Sequence, residues 1–176
     1  MTKFLPVFAG FLLIATALAA PRSSTIGRSQ RPANVRSQFL GTWKLVSSEE
    51  KLKDGSARPY KYLGPHGVGY LMYAADGHMC GELTNPDRPK WDSPPTDAQK
   101  IAAIEGMAAY CGRFEIDEAK HVMWHYPELA WTPNYVGTKQ ARPYRLEGNR
   151  LIFSGKASQD DDKDVEAWTI VWEKVN

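Results

Sequence analysis

From Phe39 onward, apolar and polar positions alternate in short runs separated by turn residues, the period-two pattern of half-buried strands. Residues 40–48 read Leu-Gly-Thr-Trp-Lys-Leu-Val-Ser-Ser, which puts Trp43, Leu45 and Ser47 on one face of a first strand. Lys53-Asp54-Gly55-Ser56 follows as a hairpin turn, because Asp-Gly suits the positive φ angles of a type I′ turn, and residues 57–63 form the return strand. Turns at Gly64-Pro65-His66-Gly67 and Ala75-Asp76-Gly77 bound a third strand at 68–74 and lead into a fourth at 78–83.

The pattern then changes. Residues 85–95 hold four prolines and form a loop. Thr96 or Asp97 caps a helix running through Tyr110, with Ile101, Ile104, Met107 and Ala108 in one apolar stripe, a lid or plug lying over a sheet. Strands resume at 111–117 and 121–126, and a loop rich in proline and aromatics covers 127–136. A hairpin of 139–147 with 150–156 turns at Gly148-Asn149, an acidic loop spans 158–164, and a last strand at 166–175 carries Trp168, Ile170 and Trp172 on one face. About nine strands with a turn roughly every 8–12 residues and one helix predict an all-β antiparallel barrel or sandwich. A parallel sheet is excluded by the lack of strand–helix alternation, and a closed meander removes the exposed edges that so many short strands would present.

Composition narrows the class. The chain has 176 residues and is 43% hydrophobic, so it can bury a core and is not a disordered polymer. With 22 basic and 20 acidic residues the formal charge is +2, which gives no case for nucleic acid, where a basic face would be expected. Residues 1–20 carry one positive charge, a short apolar run and terminal small residues, and are read as a secretory signal peptide; the run is too short for a membrane span. Residues 21–36, rich in Ser, Arg, Pro and Gln, read as a disordered leader, which leaves 37–176 as one domain of a secreted or secretory-pathway protein. Cys80 and Cys111, the only cysteines, are either a disulfide, favoured in an oxidising compartment, or a pair of inert buried thiols.

Several blocks carry a resemblance. Gly41-Thr42-Trp43 has the Gly-x-Trp pattern that opens lipocalin barrels. The runs Gly69-Tyr-Leu-Met-Tyr-Ala-Ala-Asp-Gly-His-Met, Tyr110-Cys-Gly-Arg-Phe-Glu-Ile-Asp, Asn134-Tyr-Val-Gly-Thr-Lys-Gln and Leu146-Glu-Gly-Asn-Arg-Leu resemble, in the same order, the small lipocalin-like domain family of bacteria and fungi, over roughly residues 38 to 174. The resemblance implies a barrel of about eight to ten antiparallel strands around a ligand-sized lumen, so that the elements above are expected as an all-β up-and-down lipocalin-like barrel of about nine strands with one short helix between strands four and five. It implies a small hydrophobic ligand and, by similarity to fungal lipocalin-like proteins, a cofactor-free cyclisation or isomerisation of the pericyclase type in natural-product biosynthesis. A passive carrier or scavenger is the alternative. It also implies that Trp43 packs at the closed end, under an arginine that Arg142, Arg145 or Arg150 could supply, with Gly41, Trp43 and Arg142 structural.

The chemistry of the lumen is read from the strands. Six Trp, eight Tyr and six Phe exceed what a filled small barrel needs, and aromatic walls with a few polar groups suit a small-molecule site. His78, Cys80 and Glu82 share one face of the fourth strand, and His121, Met123 and His125 one face of the sixth. Facing each other, Glu82 with His121 or His125 would make a general acid/base pair, so these three are the catalytic candidates. Tyr70, Tyr73, Cys80, Met123, Trp124, Tyr126, Trp131, Asn134 and Gln140 are the ligand-lining candidates, with Lys139 at the rim. His121-x-Met-x-His125 lacks a third ligand at zinc spacing, and there is no phosphate loop, dinucleotide fingerprint or serine-hydrolase elbow, so neither metal nor cofactor is expected. The oligomeric state is left open.

Overall fold

The longest strand, β1 (Gly41–Leu52), is used along both edges. A computed structural model describes residues 35–158 and 162–175. In it, β1 pairs on one side with β3 (Val68–Tyr73) near its start and with the three-residue β2 (Ala57–Pro59) near its end. From β3 the sheet continues through β4 (His78–Thr84), β5 (Met107–Asp117), β6 (Val122–Ala130), β7 (Gln140–Glu147), β8 (Arg150–Lys156) and β9 (Val165–Lys174), each antiparallel to the last. β9 then pairs with the free side of β1 from Trp43↔Lys174 to Leu52↔Val165. The result is the predicted closed antiparallel barrel, of eight strands, with β2 as an additional flap.

The turns form where residue chemistry requires. Gly55, Gly77 and Gly148 take positive φ at the β1–β2, β3–β4 and β7–β8 turns. Gly41, at φ +112°, sets the entry to β1 in a conformation closed to other residues.

Three expectations need correction. The return strand stops at Pro59 rather than residue 63, because the chain turns through Tyr60–Gly64 hydrogen bonds. The helix is α2 (Asp97–Glu105), held at its start by reciprocal bonds between Thr96 and Gln99 and stopped by Gly106, so Tyr110 belongs to β5. None of its residues is buried, and Ile101 and Ile104 are 58% and 48% exposed, so α2 is neither plug nor packed lid. The signal peptide expected at 1–20 and the leader at 21–36 lie outside the described residues, apart from Val35 and Arg36, which open helix α1 (Val35–Phe39).

The inside is set by alternation. Trp43, Leu45, Leu71, Tyr73, Met79, Phe114, Met123, Leu151, Phe153 and Trp172 are buried together with Phe39. A bulge between Leu45 and Ser47 shifts the inward face of β1, so that Ser48, opposite Ile170, takes the place expected for Ser47. α1 closes the end where β1 begins. Trp43 Nε1 donates to the Phe39 carbonyl at 2.7 Å, and Arg36 lies over the Phe114 ring at 4.6 Å. The half of the barrel next to α1 is therefore filled with side chains. At the opposite end, where α2 and the β6–β7 connection emerge, the inward positions Tyr110, Gln140, Arg142 and Trp168 are only partly buried.

Candidate functional site

His125 sits at the boundary between the filled half and the open end, 1% exposed. Its neighbours on β6, Met123 and Pro127, also point inward, and Gln140 of β7 pairs with it. Two phenols take its ring nitrogens: Tyr73 Oη lies 2.7 Å from Nε2 and Tyr110 Oη 2.6 Å from Nδ1. Burial, with the charge of Arg142 second, holds the imidazole well below its ordinary pKa of 6.5, so it is neutral at physiological pH. Burial likewise raises Tyr73 and Tyr110, whose hydroxyls stay protonated. A neutral imidazole has one donor and one acceptor nitrogen. The guanidinium of Arg142 acts on the Tyr110 oxygen, and of the two phenols one donates to the ring while the other accepts from it.

Arg142 faces into the barrel from β7, on the position paired with Met123. Its Nη2 donates to Tyr135 Oη at 2.6 Å, and its Nη1 donates to the Ala141 carbonyl at 3.1 Å and Gln140 Oε1 at 3.5 Å. The guanidinium lies 5.8 Å from the Trp168 ring, and no described carboxylate forms an ion pair with it. Rings gather around it. Tyr135, in the short 3-10 turn Pro133–Tyr135, has its centroid 5.3 Å from Tyr110 and 5.0 Å from Trp131. Trp168 lies across Gly155, where a Cβ would stand 2.6 Å from the indole. The open end thus gathers half-buried aromatic groups around a guanidinium that no described carboxylate pairs.

The other expected catalytic residues do not join this site. Met79 and Leu83 take the inward positions of β4, which sends His78, Cys80 and Glu82 to the outer surface; Glu82 cannot meet His125 through the barrel wall. His121 lies in the turn before β6 at φ +52°, exposed, with its ring edge-on to Tyr144 at 5.7 Å. The acid/base pair read from the sequence is therefore corrected: only His125 of the three is inside.

The ligand-lining candidates divide in the same way. Tyr73 and Met123 are core, Gln140 is at the open end with its Nε2 donating to Thr138 Oγ1 at 2.9 Å, and Asn134 is exposed in the 3-10 turn. Trp124 and Tyr126 are on the outer wall, where the Lys139 ammonium covers them at 4.2 and 5.5 Å and Tyr126 donates to Glu115 at 2.8 Å. Tyr70, Cys80, Glu82 and Trp131 line an exterior trough of about 620 Å³ across β3 to β6, with Met72 and Leu129 exposed beside them. Its floor is a disulfide between Cys80 and Cys111, directly opposed residues of β4 and β5. The cation above Trp43 is Lys174 at 5.1 Å, not an arginine: β9 ends beside β1 there, while Arg142 is at the other end of the lumen and Arg145 pairs with Glu147 on the surface.

Tyr110, Tyr135 and Trp168 were not among the candidates. Trp168 was foreseeable from its alternation with Ile170 and Trp172; Tyr110 was hidden by the overlong helix, and Tyr135 lies in a loop without periodicity.

The sequence profile of the lipocalin-like domain family matches residues 40–175, which takes in the barrel from β1 through β9. No curated protein matches the chain.

Proposed function

Because this chain belongs to the lipocalin-like domain family, we propose that it binds one small hydrophobic molecule at the open end of its barrel and carries it without turnover. The observation that carries this reading is the asymmetry of the lumen: rings and α1 pack one half solid, whereas Tyr110, Tyr135 and Trp168 at the other end remain partly exposed around Arg142. Concave sites lined by rings with a few placed polar groups suit small organic ligands. Carriage is favoured over the cyclisation or isomerisation suggested by resemblance because His125 has both nitrogens occupied by phenols and no exposed surface, while Glu82 and His121 lie outside. The reading includes a secretory-pathway address, supported by the N-terminal charge and apolar pattern and by the Cys80–Cys111 bridge.

Titrating the protein with small alkyl and aryl compounds, followed by tryptophan fluorescence, tests it. Saturable one-to-one binding that is lost in Tyr135→Ala and kept in Leu129→Ser is expected. Binding lost in Leu129→Ser and kept in Tyr135→Ala would move the site to the exterior trough, and consumption of a bound compound to an isomer would restore catalysis.

A further inference from the structure

Arg142 is an inward-facing cation without a counter-ion among the described residues. Arg58, Arg113 and Arg145 each reach a carboxylate, Glu50, Glu128 and Glu147. Arg142 instead holds the phenols of Tyr135 and Tyr110, a backbone carbonyl and, at a long 3.5 Å, an amide oxygen. A guanidinium has five N–H donors, and these contacts occupy only some of them. Taking such a charge partly out of water is costly unless it is paired. Tyr135 accepts from Arg142, so its own hydroxyl hydrogen is directed elsewhere, and no described residue accepts it. A guanidinium and a phenol O–H side by side are the two donors that a carboxylate takes.

We propose that Arg142 and Tyr135 anchor the carboxylate of the guest, so that the ligand of the barrel is a small hydrophobic acid. This rests on the barrel-binding reading above. A monoanion is specified because Arg142 is the guanidinium here that no described carboxylate pairs: Arg58, on the same face as Trp168 through Glu50, is held by Glu50, Asp162 and Asp164, and Lys139 covers Trp124 and Tyr126 on the outer wall. The surrounding rings of Tyr110, Tyr135 and Trp168 suit an apolar or aromatic tail rather than a sugar or peptide.

The test compares 4-phenylbutanoate and decanoate with the corresponding alcohols, 4-phenylbutanol and decanol, by calorimetric titration of the full chain at pH 7.5. Each acid is expected to bind about tenfold or more tightly than its alcohol. In Arg142→Gln the preference should collapse to within about twofold, with the alcohol's affinity kept. Tyr135→Phe should lower the preference in part, and serves if Arg142→Gln does not fold. Equal binding of acid and alcohol to the parent protein, or a preference that survives both substitutions, overturns the carboxylate anchor and leaves the barrel-binding reading intact. Binding of neither acids nor alcohols overturns that reading, and the anchor with it.

Discussion

Tyr110 and His125 meet at 2.6 Å inside the barrel, hydroxyl to Nδ1, and Tyr73 closes the other ring nitrogen at 2.7 Å. The imidazole is thereby held neutral, its pKa depressed by burial and by Arg142. An unfolded chain has no such restraint and takes up a proton as the pH falls through about 6.5. Acidification therefore favours the unfolded state, and the penalty is absent above that pH and grows below it until the folded pKa is reached. Urea unfolding should show stability falling by up to about 1.4 kcal/mol per pH unit between about pH 6.5 and 5. In His125→Gln that slope should disappear, with lower stability at pH 7.5, where the phenols lose a partner. A parental slope in the variant would mean that another group titrates.

Gly155 gives Trp168 its place. A methyl there would stand 2.6 Å from the indole, and a rigid ring cannot yield by flexing. Gly155→Ala should displace Trp168 from the open end, at about 1–3 kcal/mol of stability, and weaken ligand binding about tenfold. Paired unfolding and binding titrations check it; unchanged affinity would remove Trp168 from the site.

The Cys80–Cys111 bridge closes a separation of 31 residues that includes the loop and α2. Constraining that loop in the unfolded chain is worth about 3.5 kcal/mol by chain entropy. Cys80→Ala/Cys111→Ala should lose about 2–4 kcal/mol in urea unfolding while keeping ligand affinity, because the bridge is outside the barrel. Lost affinity at full folding would tie the trough to binding.

At the closed end, Trp43 is fixed by its bond to the Phe39 carbonyl, and the Lys174 ammonium both covers the ring and donates to the Gln38 carbonyl at 2.8 Å. Trp43→Ala should cost about 3–5 kcal/mol. Lys174→Ala should cost far less, yet raise amide exchange in α1, because it removes one of the bonds tying that helix to the barrel.

The barrel was legible because its signals are local. Asp54-Gly55 and Asp76-Gly77 mark tight turns by backbone chemistry, and Trp168, Ile170 and Trp172 mark a face by spacing alone. The site was much less so, since it depends on which face wins. His78, Cys80 and Glu82 form as regular a set as Met79, Gly81 and Leu83, and only the neighbouring strands put the second set inside. Single-residue bulges at Leu45/Ser47 and Cys111/Gly112 shift register without a mark in composition. Arg142 was read as a lid for Trp43 because the distance between them along the barrel axis depends on strand stagger, which no single strand records.

β1 and β9 close the cylinder by joining Trp43 to Lys174, the start of the described domain to its end. Until the last strand is in place, β1 presents an unpaired row of amides and carbonyls along most of its length. β9 is made after every other strand of the barrel, so until then the sheet is a curled ribbon with a sticky border. Losing β9 would leave the molecule in that state and prone to pairing with its own copies.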